Sequence, residues 1–436
     1  MPEKSSPRRR LFTGWWSVLF IGIASGLGHG FNIYGFSILF KQISAELELN
    51  RAFTSLAAGI GRMEGGITSP LVGWLSDKVG PRWIVIVGTA VAALGMLLMS
   101  RVTEVWQYYV AWGVLIGLGL NIGLTVACDK SINDWFIRRR GLAQGIKFAI
   151  ISVFGIIILP VVTALIEFRD WRFVCLVFGL IMVASLPLAY ILIKPRRPEY
   201  YGLLPDGAHF GEGGEKDREA MLETGVSYAS SLHEMEYTFK QAAKTGTYWL
   251  LIIGYAVHNF IVGGLNVHIH PFLTDIGIGE AAASGMMGIM IFFTIPSRVF
   301  GGIVADKVPK DRLHLLLVAA FLFQVIGISA YLWNRSPASV YVLLACHGLS
   351  SGAVTPVILL VIGRYFGRKA FGSILGMMIT FLAPMSLLSP VYYGWMYDSF
   401  LAYDNAFITA LALAVIATVT TLFVRPPSPP VQGGIP

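Results

Sequence analysis

Long apolar runs separated by short polar segments make up most of this chain of 436 residues. An α-helix rises about 1.5 Å per residue, so a run of about 20 apolar residues can cross a hydrocarbon core about 30 Å thick. Twelve runs reach or approach this length, at 14–41, 54–75, 83–100, 106–128, 142–165, 173–193, 247–271, 281–304, 312–333, 338–362, 372–397 and 405–424. The pattern predicts an all-α membrane protein with twelve transmembrane helices.

Composition supports this prediction and narrows the function. Hydrophobic residues make up 55% of the chain, charged residues only 13%, and the mean hydropathy is +0.67. These values exclude a soluble enzyme. We find no nucleophile–base cluster, phosphate-binding loop or metal-ligand spacing, so we expect no enzymatic activity, no cofactor and no metal. The three cysteines, Cys128, Cys175 and Cys346, lie in the predicted spans as small core residues.

The basic residues predict the orientation in the membrane. If both termini are cytoplasmic, 24 of the 33 lysines and arginines lie inside, 6 lie outside, and Arg62, Lys147 and Arg298 lie within spans. This asymmetry follows the positive-inside rule. The net charge of +8 therefore reflects topology, and we expect no nucleic-acid partner. We expect a multi-pass, monomeric protein in a cell membrane, a prokaryotic inner membrane or a plasma membrane.

The chain contains an internal repeat. The segment Gly73 to Asp77 after the second span is echoed by Gly302 to Asp306 after the eighth, and similar echoes precede the fifth and eleventh spans. Two halves of six helices that start on the same side imply a pseudo-two-fold axis along the membrane normal. The expected units are an N-terminal half at 1–193, a cytoplasmic linker at 194–246 with a short amphipathic helix near 232–244, and a C-terminal half at 247–436.

The motif Gly73-x-x-x-Asp77-x-x-Gly80-x-Arg82 resembles the loop signature of the major facilitator superfamily, over nearly the whole chain. Further stretches resemble the branch of monocarboxylate transporters and oxalate/formate antiporters: Tyr34-Gly-Phe-Ser-Ile-Leu-Phe40, Trp135-Phe-x-x-Arg-Arg-Gly141, Gly202-Leu-Leu-Pro-Asp-Gly207, the segment His268 to Gly277, and Arg298. The resemblance implies transport of small anions by alternating access. Two positions depart from it: Tyr34 stands where animal members carry a lysine, and Thr294 stands where proton-coupled relatives often carry an acid.

The loop motif predicts a contact that depends on conformation. Asp77 can meet the N-terminus of a neighbouring helix, together with Arg82 or one of Arg138–Arg140, when the cytoplasmic side is closed. Asp306 occupies the equivalent place in the repeat. We therefore assign Asp77, Arg82 and Asp306 to gating; the alternative is a solvated loop charge.

Polar residues at helical spacing predict a central path along the first, fourth, seventh and tenth spans, the helices that line it in the superfamily that the chain resembles. They are His29 and Asn32, then Asn121, then Asn259, Asn266 and His270, then His347, and the resemblance adds Tyr34 and His268. Periodicity favours His270 for the cavity, whereas resemblance favours His268. The alternative is that these side chains only bond neighbouring helices.

Charged residues within the spans complete the candidate site. We expect Arg298 to bind a substrate carboxylate, because a guanidinium offers two parallel donors and stays charged when buried. In the alternative, Arg298 is structural and pairs with an acid such as Glu64. Glu64 and Arg62 are coupling candidates: Glu64 either carries a proton or forms a fixed ion pair. Lys147 can extend to the membrane surface.

These observations favour a secondary transporter of small organic anions, most of all monocarboxylates, by proton symport or anion exchange. The partners expected are the anion, protons or a counter-anion, and the lipid bilayer. The rival is a transporter or exporter of a neutral or cationic solute.

Overall fold

The computed structural model describes residues 12–49, 51–207 and 235–428, which fold into twelve long helices. In chain order the helices are α1 (Thr13–Gly30, continued by the π-helical Phe31–Gly35 into Phe36–Glu46), α2 (Arg51–Val79), α3 (Pro81–Met99), α4 (Val105–Trp135), α5 (Arg140–Phe168), α6 (Trp171–Leu192), α7 (Gly246–Asp275), α8 (Glu280–Lys307), α9 (His314–Asn334), α10 (Pro337–Phe366), α11 (Phe371–Phe400) and α12 (Asp404–Leu422). Ten of the helices in the described part of the chain are long and apolar enough to cross a membrane. The predicted all-α, twelve-helix architecture is confirmed.

Local sequence signals explain where several helices begin. The Asp170 carboxylate accepts a hydrogen bond from the Phe173 amide (2.7 Å) at the start of α6, and Ser336 accepts one from the Ser339 amide (3.3 Å) at the start of α10. Such N-caps satisfy amides that have no partner within the helix. Gly80 adopts a φ of 91° between α2 and α3, a conformation that suits glycine.

Helix α4 departs from the predicted span. It continues to Trp135, whereas the apolar run ends at 128, so Asp129, Lys130 and Asp134 lie in its last turns and are buried. Two π-helical stretches, Tyr109–Ile116 and Ile122–Val126, interrupt the part of α4 before Ala127. Insertions of this kind occur often at functional sites.

Two pairs of helices hold the six-helix halves together. Helix α2 packs against α11, and α5 packs against α8. Glycines allow these close crossings: a Cβ on Gly73 would overlap the carbonyl oxygen of Gly372, and a Cβ on Gly302 would overlap that of Gly141. Both crossings lie near the side on which the described linker residues, such as Pro195, Glu199 and Met235, contact the helices; we call it the linker side.

Two described segments of the linker are ordered against the helices. Residues 198–207 form two short 3-10 turns, Pro198–Tyr201 and Pro205–Gly207. Further on, Thr238 caps a short helix, Phe239–Ala243, through its hydroxyl and the side chain of Gln241. This helix falls within the amphipathic helix predicted at 232–244, of which 232–234 lie outside the described residues.

Candidate functional site

Asp77 joins the two halves on the linker side. Its carboxylate accepts hydrogen bonds from the amides of Gly372 (3.1 Å) and Ser373 (2.8 Å), and from the Ser373 hydroxyl (2.7 Å). Gly372 and Ser373 begin α11, so the negative charge lies at the positive end of a helix dipole. The Lys130 ammonium lies 3.4 Å away.

Asp306 makes the equivalent contact in the opposite direction. Its carboxylate, at the end of α8, accepts hydrogen bonds from the amides of Gly141 (2.7 Å) and Leu142 (2.8 Å) at the start of α5. Each half therefore supplies one carboxylate and one helix N-terminus. We call the Asp77–α11 and Asp306–α5 contacts the reciprocal contacts.

Arg82, one of the basic partners expected for Asp77, does not contact it. Arg82 turns away from it: its Nε donates to the Ile193 carbonyl (2.5 Å) and its guanidinium lies 4.8 Å from the centre of the Tyr190 ring, which ties α3 to the end of α6. The backbone amides of Arg138 and Arg139 are held elsewhere, by Asp206. Lys130 takes the place near Asp77 because α4 continues past its apolar run.

A layer of buried charges, which the hydropathy pattern did not predict, surrounds the reciprocal contacts. Lys130 lies 2.9 Å from the Asp134 carboxylate and donates to the Arg368 carbonyl (2.5 Å) in the other half. Arg368 in turn donates to the Asp134 carbonyl (3.0 Å) and to the Glu199 carboxylate of the linker (3.1 Å). The signal was present as acids spaced along an extension of α4, but hydropathy alone placed them in a loop.

The linker also holds the N-terminal side of α5. The Asp206 carboxylate accepts three backbone hydrogen bonds, from Ile137 (3.1 Å), Arg138 (2.8 Å) and Arg139 (3.0 Å). These residues immediately precede α5, whose first amides bond Asp306. The segment 198–207 is therefore packed into the same layer.

Arg298 lies half-buried on α8, at the boundary between the halves. Its Nη1 donates to the Phe148 carbonyl (2.6 Å) and to the Ser152 hydroxyl, both on α5. Ser152 also lies 3.2 Å from the hydroxyl of Thr294, one turn before Arg298. The guanidinium thus reaches across the interface, one face over the Phe148 ring at 5.7 Å from its centre.

Lys147 lies next to this position and is not at the membrane surface, which corrects the expectation. Its ammonium is 2.5 Å from the Asp129 carboxylate of α4, and the two side chains are only 2% and 6% exposed. The acid is another residue of the α4 extension that the hydropathy pattern hid.

The polar residues of the N-terminal half divide between helix contacts and the interior. Asn121 donates to the Gly61 carbonyl of α2 (2.9 Å), so its amide bonds a neighbouring helix. His29 and Asn32 are half-buried on α1, and His29 lies close to the Leu124 backbone and to Lys147. The side chain of Tyr34 lies outside the described residues.

In the C-terminal half, most of the predicted polar stripe is bonded within the bundle. His347 is buried between the Gln324 oxygen (2.9 Å) on α9 and the Asn266 oxygen (3.2 Å) on α7. Asn259 donates to the Tyr255 carbonyl of its own helix (2.8 Å). Asn266 is exposed and Asn259 is half-buried, whereas His347 is buried.

Of the two histidines before Pro271, the structure describes the side chain of His268. It lies 3.1 Å from the Tyr403 hydroxyl and stacks near Tyr393, so it packs within the C-terminal half at the end away from the linker side. The side chain of His270 lies outside the described residues.

Glu64 is half-buried on α2 and faces Gly117 of α4. Among the described residues it forms no salt bridge, and its Oε2 has no hydrogen-bond partner. The fixed ion pair considered for it is therefore not seen in this part of the chain. The side chain of Arg62 lies outside the described residues.

The reciprocal contacts, the repeat and the helix count point to one family, and comparison with known proteins decides it. Residues 18–390 match the profile of the Major Facilitator Superfamily. The chain belongs to this superfamily. Its members are membrane transporters and not enzymes.

Relatives within the superfamily narrow the resemblance. The chain is 28% identical over 405 residues to rat monocarboxylate transporter 13, covering 91% of this chain and 85% of the relative. It is 24% identical over 417 residues to rat monocarboxylate transporter 4, covering 94% and 83%. The relatives support transport of a small solute, across a membrane that the chain spans several times.

Solved structures share the fold at low identity. The human organic anion transporter MFSD10 superposes with a TM-score of 0.68 at 14% identity, covering 96% of this chain and 100% of that protein. FucP in the outward conformation also gives 0.68 at 14% identity, covering 94% and 97%.

Proposed function

We propose that this member of the major facilitator superfamily is a secondary transporter of small organic anions, chiefly monocarboxylates, that works by alternating access. The observation that carries the proposal is the position of Arg298: a cation held within a membrane span, at the boundary between the two moving halves. Charges at such depth are costly and are kept for function. The monocarboxylate transporters among the relatives support the choice of anion.

The chemistry of Arg298 suits a carboxylate. A guanidinium binds two carboxylate oxygens through parallel donors and stays protonated when buried. In this conformation Nη1 bonds the backbone and a hydroxyl of α5. These acceptors are neutral, and a carboxylate forms stronger, charge-assisted bonds with the same donor. We infer that the substrate carboxylate displaces the Ser152 hydroxyl from Arg298. Substrate binding would then change the α5–α8 interface directly.

The conformation described has its linker side closed. The reciprocal contacts and the bonds of Arg368 and Thr380 to the other half lie from this side to the middle of the spans. With the linker and both termini in the cytoplasm, as the 24 to 6 distribution of basic residues indicates, this is an outward-facing state. The proposed location is a plasma membrane or prokaryotic inner membrane, and the proposed gate consists of Asp77 and Asp306.

A second candidate function has one observation in its favour. Because Arg298 is already bonded to Phe148 and Ser152, it can be read as a structural brace in a transporter of neutral or cationic solutes. The two readings predict different effects of the same variants.

The test uses purified Arg298→Lys, Arg298→Ala and, as a matched control, Arg312→Ala, which alters an exposed arginine (71% exposed), reconstituted in liposomes. Membrane expression, melting temperature and uptake of labelled lactate, pyruvate and benzoate are measured together. We expect Arg298→Ala to be folded and inactive, Arg298→Lys to be strongly impaired, and Arg312→Ala to retain uptake. Loss of one partner of a buried charged pair costs about 2–5 kcal/mol, or roughly 30- to several-thousand-fold in affinity. A stable Arg298→Ala protein with parental anion uptake would refute the carboxylate site.

A further inference from the structure

The ion pair between Asp129 and Lys147 is buried in the interior of the N-terminal half. Ammonium and carboxylate are 2.5 Å apart on neighbouring helices α4 and α5, and neither side chain is more than 6% exposed. Removing two charges from water costs more than their attraction generally returns, so such a pair is weak evidence for a purely stabilising role. Its location suggests another role.

The pair shares an aromatic ring with Arg298. The Lys147 ammonium lies 4.5 Å from the centre of the Phe148 ring, and the Arg298 guanidinium carbon lies 5.7 Å from the same centre. The two cationic groups are therefore at most about 10 Å apart. Phe148 also accepts the Arg298 hydrogen bond through its carbonyl. The candidate substrate arginine and the buried pair thus form one cluster around a single residue.

Other titratable groups face this cluster from the surrounding helices. His29 of α1 and Cys128 of α4 interact electrostatically with Lys147, and Tyr255 of α7, in the other half, interacts with Asp129. Lys130, the next residue along α4, points instead to Asp77 and Asp134. Among the described titratable groups of this cluster, Asp129 is the one carboxylate.

Two other positions where an acid could couple to the anion fit less well. The residue one turn before Arg298 is Thr294, whose hydroxyl cannot carry a charge. Glu64 faces Gly117, which is twelve residues before Asp129 on α4 and so about 18 Å along that helix. Asp129 is the carboxylate that is linked to the candidate substrate cation, through Lys147 and the shared Phe148 contact.

The charge of the cluster supports a coupling role. Arg298, Lys147 and Asp129 together carry one net positive charge when Asp129 is ionised. Adding a proton to Asp129 and a monocarboxylate to the cations leaves that net charge unchanged. The site therefore carries the same charge when it is empty and when it is loaded. The conformational change of the empty transporter and that of the loaded transporter then have the same cost of removing charge from water.

We propose that Asp129 and Lys147 are the proton-coupling site of this transporter, a proposal that rests on the anion-transport function above. Protonation of an Asp129 carboxylate oxygen breaks its bond to Lys147, which remains an ammonium. Lys147 then joins Arg298 in binding the substrate carboxylate. On the opposite side of the membrane, loss of the proton from Asp129 re-forms the ion pair and releases the anion, so one proton and one monoanion cross together without net charge.

Two transport assays test the proposal in liposomes with labelled lactate, pyruvate and benzoate. The first measures exchange of anion for anion at equal pH, and the second measures net uptake driven by an inward proton gradient. Asp129→Asn mimics the protonated acid, so we expect exchange within about threefold of the parent but at least a tenfold loss of acceleration by the gradient. Asp311→Asn, which alters an exposed carboxylate (69% exposed), is the matched control and should behave like the parent in both assays.

A structural role for the pair predicts a different result, and a double variant separates the two. If Asp129→Asn does not fold, Asp129→Asn/Lys147→Gln replaces both charges and should restore the melting temperature. Once it is folded, we expect this protein to lack acceleration by the gradient; retained acceleration would overturn the proposal.

The remaining outcomes are also decisive. A parent protein that exchanges none of the three anions counts against the proposed function itself. Three outcomes overturn the coupling assignment but leave anion transport unaffected. The parent exchanges anions but its uptake does not respond to the proton gradient; uptake by Asp129→Asn still responds to the gradient; or the response is lost in Glu64→Gln and retained in Asp129→Asn.

Discussion

The reciprocal contacts predict that Asp77→Asn shifts the protein away from the linker-side-closed state. One carboxylate oxygen accepts the Gly372 amide and the other accepts the amide and hydroxyl of Ser373. An asparagine retains one acceptor oxygen, whereas its NH2 group would face either the Gly372 amide and the Lys130 ammonium or the Ser373 amide and hydroxyl. The substitution is therefore nearly isosteric but removes one or two charge-assisted bonds.

The expected size of the shift follows from those bonds. A hydrogen bond to a charged group contributes about 1.5–3 kcal/mol, so we expect the closed state to lose about 2–4 kcal/mol relative to the open state. This changes the ratio of the two states roughly 30- to 700-fold. An open state that is populated at about 1% in the parent would rise to at least roughly a quarter of the molecules.

Distances between spin labels measure this shift. Labels at Arg138 and Lys369, exposed residues of the two halves on the linker side, should show a second, longer distance in Asp77→Asn. A pair at Arg101 and Trp333 on the opposite side should show the complementary shorter distance. Asp311→Asn is the control. Transport should slow more than equilibrium anion binding weakens, because the substrate site is untouched. Unchanged distance distributions in Asp77→Asn would refute the reasoning.

Two further predictions concern the crossings and the topology. Gly73→Ala and Gly302→Ala should each shift the same label distances towards the open state, since the added Cβ would overlap a carbonyl oxygen of the opposing helix. Gly285→Ala, where nothing lies within 4 Å of the added Cβ, should leave the distances unchanged. Equal effects at all three positions would contradict the close-crossing argument. Single cysteines at Ser5 and within 208–218 should be labelled only from the cytoplasm, and those at Asn50 and Ser336 only from outside; labelling of the 208–218 cysteines from outside intact cells would reverse the proposed orientation.

The apolar periodicity predicted the helices well because lipid imposes a simple requirement. Eleven of the twelve described helices begin within two residues of the predicted start. The prediction was wrong at the end of α4, where charges are instead buried by pairing. Hydropathy records the cost of removing Asp129 or Lys130 from water, but it cannot record the partners that offset this cost.

The candidate site was only partly predictable for a similar reason. Helical spacing showed that His347 and Asn266 belong to polar faces, but it could not show that they bond each other across α7 and α10. The repeat predicted that Asp77 and Asp306 play equivalent parts, since the equivalence is written in the sequence. The cation near Asp77 could not be predicted, because it depends on how far α4 continues and where Arg82 turns.

The reciprocal contacts make the linker-side interface isologous, like that of a two-fold symmetric dimer, although a single chain forms it. In a homodimer every substitution appears twice, and its two effects cannot be separated. Here Asp77 and Asp306 can be changed one at a time and then together. A double-mutant cycle on this pair therefore measures whether two symmetry-equivalent contacts release independently or as one unit.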